Sequence, residues 1–193
     1  MKLTKEYWDT CYINKDTRWD LGEISRPIKE YVDQLEDRDI SILIPGGGNS
    51  HEAEYIFNIG FKNTHVVDIS PLAVSNFIKR VPSYPKQQII NHDFFEFEGS
   101  YDLIIEQTFF CAIDRDLRPA YAKQMASLLQ AGGKLVGLLF NAPLYEDHPP
   151  YGGCPEEYQK YFEPYFIIEI MDACHNSIEP RAGREVWVKM TKK

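Results

Sequence analysis

The stretch DISILIPGGGNSHEAEYIFNIGFKNTHVVD, Asp39 to Asp68, decides how the rest of the chain is read. It opens on Ile40-Ser41-Ile42-Leu43-Ile44, a run too short for a helix and rich in β-branched residues, as a buried strand is. Pro45 has no N–H to give a ladder and marks the strand's end. Gly46, Gly47 and Gly48 follow, where a backbone without Cβ can turn sharply and let a ligand approach. Asn49 or Ser50 then caps a predicted helix running through Phe57. Its apolar face holds Ala53, Ile56 and Phe57, and Gly60 ends it. A second strand, Thr64 to Val67, terminates in Asp68.

Strand, glycine turn, helix, strand, acid is the layout of half a dinucleotide-type site. Asp68 stands 22 residues beyond Gly46, close to the roughly 20-residue spacing of an acid that binds ribose hydroxyls. The glycines depart from G-x-G-x-x-G, because His51 occupies the third position after Gly48. A pyrophosphate cradle is therefore disfavoured, and a nucleoside without phosphates fits better. The competing reading is a tight βα turn whose Asp68 only caps the next helix.

On the N-terminal side, Lys5 to Tyr12 places Tyr7, Trp8, Cys11 and Tyr12 on one face of a short helix. A polar loop containing Trp19 follows. A second helix runs from Pro27 to about Leu35, with Ser25 as its cap. Residues 1–39 have no partner strand and are expected to cover the sheet, with 40–193 as the core of one domain spanning 1–193. Trp8 and Trp19 fit two roles equally: packing that cover down, or lining a lid over a ligand.

On the C-terminal side, Ser70-Pro71 starts a helix to Arg80, and a short strand surrounds Gln88-Ile89-Ile90. His92-Asp93-Phe94-Phe95 follows. Asp93 and Phe94 suit an adenine amino group and ring, but the residues alone favour a loop cap and a core phenylalanine slightly more. Tyr101 to Glu106 is a strongly apolar strand with Glu106 and Gln107 at its end, where ligands bind in open α/β sheets. Arg115 to Leu129 is the longest amphipathic helix, stopped by Ala131-Gly132-Gly133 before a strand from Lys134 to Phe140. Asn141 to Gly153 is a long loop of the kind that often carries function. A helix at Pro155 to Phe162 precedes strands at Tyr165 to Met171 and Glu185 to Met190. These two have no helix between them and should pair antiparallel.

The whole chain agrees with one α/β domain: 193 residues, 44 % hydrophobic, net charge -8. No basic run suggests nucleic acid. No apolar run has the length of a membrane span, and no signal peptide is visible, so a cytoplasmic location is expected. The four cysteines form no C-x-x-C pair, and His51, His65, His92 and His175 show no metal spacing.

Taken together, Trp19-Asp20-Leu21-Gly22, Leu43 to Gly48, Val67-Asp68-Ile69-Ser70, His92 to Phe95, Phe109 to Ile113 with Arg118-Pro119-Ala120, and Pro149-Pro150-Tyr151 resemble a thiopurine S-methyltransferase-like protein. The branch they resemble is that of thiol, thiocyanate and halide methyltransferases. The resemblance implies a Rossmann-like class I methyltransferase fold. This is a seven-stranded, mostly parallel sheet with a C-terminal antiparallel strand and helices on both faces. It implies S-adenosylmethionine as cofactor, a small soft nucleophile as acceptor, and a monomer or weak homo-oligomer. By position, Gly46 and Gly48 approach the methionine part, Asp68 the ribose, and Asp93 with Phe94 the adenine. Glu106 and Gln107 lie beside the methionine and ribose portions, and Trp8 and Trp19 close over the cofactor. Tyr12, Phe109, Phe110 and Tyr151 face the acceptor, with Tyr151 and His148 as candidate catalytic groups. The family usually has cysteine where Gly47 stands, further glycines in place of Asn49 and Ser50, and Gly-Gly in place of Asp147-His148. The last departure is on the acceptor side. An O- or N-methyltransferase, or a nucleoside-binding module without turnover, remains an open alternative.

Overall fold

Seven strands and six helices build the domain in the computed structural model, which describes residues 3–193. The strands are β1 (Ile42–Pro45), β2 (Thr64–Asp68), β3 (Ile89–Asn91), β4 (Tyr101–Gln107), β5 (Leu129–Phe140), β6 (Phe166–Ala173) and β7 (Glu185–Lys192). The helices are α1 (Lys5–Ile13), α2 (Arg26–Asp33), α3 (His51–Asn58), α4 (Pro71–Arg80), α5 (Arg118–Leu128) and α6 (Pro155–Phe162). No helix among the described residues is long and apolar enough to cross a membrane.

The strands form one sheet in the order β3-β2-β1-β4-β5-β7-β6. β1 through β5 pair parallel, and β7 runs antiparallel between β5 and β6. Period-two alternation divides the strand residues between two cores. Ile42, Ile44, Val66, Leu103 and Ile105 face α2, α3 and α4, whereas Leu43, Val67, Ile104 and Leu135 face α5 and α6. Ile42, Leu43 and Ile44 are fully or almost fully buried, and each such side chain contributes about 1.5–3 kcal/mol of transfer free energy. The short apolar run of the sequence is thus a central strand covered on both faces, and sheet order reverses between β1 and β4. Ligands bind in the crevice at that switch point.

Three local expectations change. Ala131-Gly132-Gly133 does not simply end a helix: α5 stops at Leu128 and β5 begins at Leu129. Leu129 pairs with Tyr101 and Lys134 with Leu103, so the glycines form an irregularity inside the strand, Gly132 at φ +74°. Ser50 occupies the N-cap of α3 but caps nothing. Its φ is +55°, and its hydroxyl donates to the Gly47 carbonyl (3.1 Å). Ser70 does cap α4, its Oγ accepting from Ala73 N at 3.0 Å.

The N-terminal cover has two parts. α2 belongs to the core, with Ile28 and Val32 fully buried. α1 buries no residue and rests on the start of α4. Asp9 Oδ1 accepts there from the Ser70 hydroxyl (2.5 Å) and Leu72 N (3.3 Å).

Candidate active site

The strand ends place the site. Register sets Pro45 beside Val67 and Asp68 beside Asn91, so Gly46, Asp68 and Asn91 lie level on three adjacent strands. Continuing the β1–β4 register brings Gln107 level with Gly46 on the other side. Above this row opens a cavity of about 1110 Å³, walled by the glycine turn, the ends of β2 and β4, the loop after β3, α1 and the loop after β5. Single-ligand pockets run roughly 300–1,000 Å³, so this one has room for a nucleoside-sized ligand and a small second molecule.

Gly46 and Gly48 sit at φ +59° and +55°, the left-handed region in which a side chain is strained. Packing also demands them. A Cβ on Gly46 would stand 2.4 Å from Phe109 Cδ2, and one on Gly48 2.8 Å from the Tyr12 hydroxyl. Asp68 ties the turn to the next helix: Oδ2 accepts from Gly48 N and Oδ1 from Ser70 N, both at 2.8 Å. Burial raises its pKa, and these two bonds oppose that rise. A carboxylate has about four acceptor sites, so Asp68 retains capacity toward the cavity it lines.

Asp93 combines both of its sequence readings. Its Oδ1 caps Phe95 N (2.9 Å), while the residue lines the cavity with Phe94. Phe94 is held edge-on by Phe109, ring centroids 5.1 Å apart.

Trp8 and Trp19 meet edge-to-face at 5.6 Å, Tyr12 meets Trp19 at 5.9 Å, and all three line the cavity. Tyr12, expected toward the acceptor, stands against Gly48. Burial, then the charge of Asp68, raises its pKa and keeps its hydroxyl protonated. Arg181, just before β7, donates to the Trp19 carbonyl (2.9 Å) and fixes that loop from a position 162 residues away.

Three expected site residues are not in the wall. Glu106 is 1 % exposed and turned inward. It accepts from Phe109 N (2.7 Å), Phe110 N (2.9 Å) and the Tyr121 hydroxyl, and so fixes the turn after β4. Burial pushes its pKa up to about 7. Alternation along β4 explains why only its neighbour Gln107 reaches the cavity. Phe110 is 1 % exposed, packed in the aromatic core with Tyr121, Tyr158 and Phe162. Tyr151 is 4 % exposed beside the cavity, its N–H bonded to the Cys111 carbonyl (2.7 Å). Burial, then Asp114 and Asp147, raises its pKa, which makes it a poor base.

His148 does line the cavity, at its rim, packed at a tilt of 33° against Tyr145 with centroids 4.1 Å apart. Its Nδ1 lies 2.9 Å from the Pro149 carbonyl. A carbonyl only accepts, so Nδ1 is the donor there, and Nε2 faces Asp147 Oδ1 at 3.7 Å. The deeper wall beside Phe109 is Cys111, Ala112 and Ile113. Burial pushes the Cys111 thiol up to about 12, so it stays a protonated, apolar surface.

Sequence reasoning missed Glu52, which lines the cavity, and the supporting bonds of Ser25 and Asp9. Ser25 carries a legible sign only in hindsight: it occupies the N-cap of α2 yet makes no cap bond, and its hydroxyl donates to Gln107 Oε1 (3.1 Å).

This geometry has counterparts in known proteins. Residues 3–190 match the family described as thiopurine S-methyltransferase. The chain is 32 % identical over 187 residues to "Probable thiol methyltransferase 2" of Arabidopsis thaliana, covering 92 % of this chain and 81 % of that one. It is 29 % identical over 186 residues to "Thiocyanate methyltransferase 1" of Brassica oleracea, with the same coverage of 92 % and 81 %. The fold matches that of Burkholderia thailandensis 1,6-didemethyltoxoflavin-N1-methyltransferase, solved with S-adenosylhomocysteine, at TM-score 0.76 and 14 % identity, over 98 % of this chain and 87 % of that one. The chain belongs to the thiopurine S-methyltransferase family of S-adenosylmethionine-dependent methyltransferases.

Proposed function

We propose that this protein methylates a small soft nucleophile, a thiol or the sulfur of thiocyanate foremost. The observation that carries the reading is the wall beside the glycine turn, where Phe109, Cys111, Ala112 and Ile113 offer a soft atom an apolar approach. Two relatives that match over 92 % of this chain bear thiol and thiocyanate methyltransferase names.

The residues fit S-adenosylmethionine. The glycine turn leaves no Cβ in the way, Asp68 retains acceptor sites for ribose hydroxyls, and Asp93 with Phe94 sits one strand further for the adenine. Trp8, Tyr12 and Trp19 form the lid. When bound, the cofactor supplies a methyl group already activated on a sulfonium, so the protein's work is alignment and exclusion of water. Glu106 positions Phe109 through the two N–H groups it accepts. An unperturbed thiol is only a few per cent thiolate at neutral pH, and His148 Nε2 at the rim is placed to take its proton. Thiocyanate needs no such step.

Methyl transfer to thiocyanate, hydrosulfide, an aryl thiol and a catechol tests the proposal. Turnover on sulfur acceptors is expected, and turnover on the catechol alone would refute it.

A further inference from the structure

Two segments of the chain have no part in the reaction outlined above: Arg118-Pro119-Ala120, which opens α5, and Pro149-Pro150-Tyr151, near the end of the loop after β5. They meet at one side chain. Arg118 is 0 % exposed. A fully buried guanidinium is costly unless its charge and its donors are met. Glu157, in the first turn of α6, meets the charge: its Oε1 accepts from Arg118 Nη1 at 2.9 Å. The rings of Phe110 and Tyr158 lie beneath the cation, their centroids 4.6 and 5.6 Å from Cζ. The other arm of the fork is spent on backbone. Nη2 donates to the Gly152 carbonyl at 2.9 Å and to the Tyr151 carbonyl at 3.4 Å. Nε has no hydrogen-bond partner, so the carboxylate and the two carbonyls alone orient the fork.

Those carbonyls stand behind the acceptor side of the cavity. Pro149 and Pro150 line it, and so do Phe109 and Cys111 to Ile113. Tyr151 joins the two segments: its N–H donates to the Cys111 carbonyl (2.7 Å), and its own carbonyl accepts from Arg118. The loop after β5 is also closed at its base. Gly153 N donates to the Ala142 carbonyl (3.3 Å), and a Cβ on Gly152 would collide with that same carbonyl oxygen. With its base closed and two of its carbonyls held, the loop has little freedom to shift Pro149 and Pro150 against Cys111. Arg118 itself is absent from the cavity wall, and no group it holds is one assigned to the cofactor.

We propose that Arg118 is a positioning residue for methyl transfer. From outside the cavity it sets the separation of the two acceptor-facing loops, and with it the place where the acceptor meets the methyl group. The proposal rests on the reading above that puts a sulfur acceptor between these loops. Lysine is no substitute here. An ammonium is a compact point charge and lacks the planar fork that spans two carbonyls and a carboxylate.

The test measures acceptor kinetics on the full chain with labelled S-adenosylmethionine and an aryl thiol, beside calorimetry with S-adenosylhomocysteine. Arg118→Met combined with Glu157→Gln removes both charges, so no unpaired ion stays behind. The acceptor KM should rise and kcat/KM should fall by about 10- to 100-fold, as a reacting group displaced by up to about 1 Å loses. S-adenosylhomocysteine should bind within about twofold of wild type, at the same stoichiometry. Poor folding alone would lower kcat and the stoichiometry and leave the acceptor KM in place. Arg118→Lys keeps a cation beside Glu157 and should show part of the same loss; it carries the test if the double variant does not fold. Equal loss of acceptor turnover and S-adenosylhomocysteine binding would mean that Arg118 only supports the fold. A wild-type acceptor KM in either folded variant would mean that the loops hold their places without it. Each result overturns the proposal. A wild-type chain that binds S-adenosylhomocysteine and methylates no sulfur acceptor would overturn the acceptor reading itself, and the positioning role with it.

Discussion

Replacing Asp9 by alanine should release the aromatic lid without unfolding the domain. α1 buries no residue, so little apolar area holds it down. Its polar anchor is Asp9 Oδ1, which accepts from the Ser70 hydroxyl at 2.5 Å and from Leu72 N at 3.3 Å, at the N-terminus of α4. A carboxylate at a helix N-terminus contributes about 0.3–1 kcal/mol through the helix dipole, and a cap-type bond about 0.5–2 kcal/mol. The longer bond adds little, so the latch is worth about 1–2 kcal/mol. If the bound state needs the lid docked, that loss lowers apparent affinity about 5- to 30-fold. Calorimetry with S-adenosylhomocysteine reads it directly. Asp9→Asn keeps the acceptor oxygen and loses the charge, so it should fall between wild type and alanine. The urea midpoint should hardly move, because neither core uses α1. Wild-type affinity in Asp9→Ala would refute the latch, as would a loss matched by an equal fall in global stability.

Other outcomes follow from the same geometry. Asp68→Ala should weaken cofactor binding by about 1.5–3 kcal/mol, the range for hydrogen bonds to a charged group, and unchanged affinity by calorimetry would remove its ribose role. Gly48→Ala should also impair binding, because its Cβ would stand 2.8 Å from the Tyr12 hydroxyl at a backbone φ of +55°; titration with the same ligand checks this. His148→Ala should slow methylation of a thiol by about 100-fold at neutral pH and leave thiocyanate unaffected; equal slowing of both acceptors would contradict a proton-transfer role. Glu106 is raised from 4.5 to about 7 in the fold, so the native state holds an extra proton between those values. Its contribution is fully present below pH 4.5 and is lost as pH rises through 7, a change of about 3 kcal/mol. Urea denaturation across pH 5 to 8 should show wild type losing stability relative to Glu106→Gln.

Much of the fold was legible because its signals are local. An apolar β-branched run, a glycine turn and a terminal acid specify a central strand and a ligand-facing edge within thirty residues. The antiparallel pair at the C-terminus followed from the missing crossover helix. What failed depends on facing and on distance. Glu106 and Gln107 both end β4, and only the two cores decide which one turns inward. Phe110 and Tyr151 lie beside wall residues, and backbone direction turns their rings into the interior. Ser25 and Ser50 have cap chemistry, but partners brought in by the fold take Ser25's hydroxyl, and the left-handed turn redirects Ser50's. The Arg181 bond to Trp19 joins segments with no local signal between them. β5 starts early because Tyr101 offers Leu129 a partner across the sheet, which glycine spacing alone does not disclose.

The most direct test of the central claim uses one acceptor that presents both chemistries, an aryl thiol bearing a phenol hydroxyl. Incubation with labelled S-adenosylmethionine, followed by identification of the methylated atom, separates soft from hard selectivity within a single pocket. The account predicts label on sulfur, lost in Asp68→Ala. Label on oxygen, or no product while S-adenosylhomocysteine still binds, would contradict it.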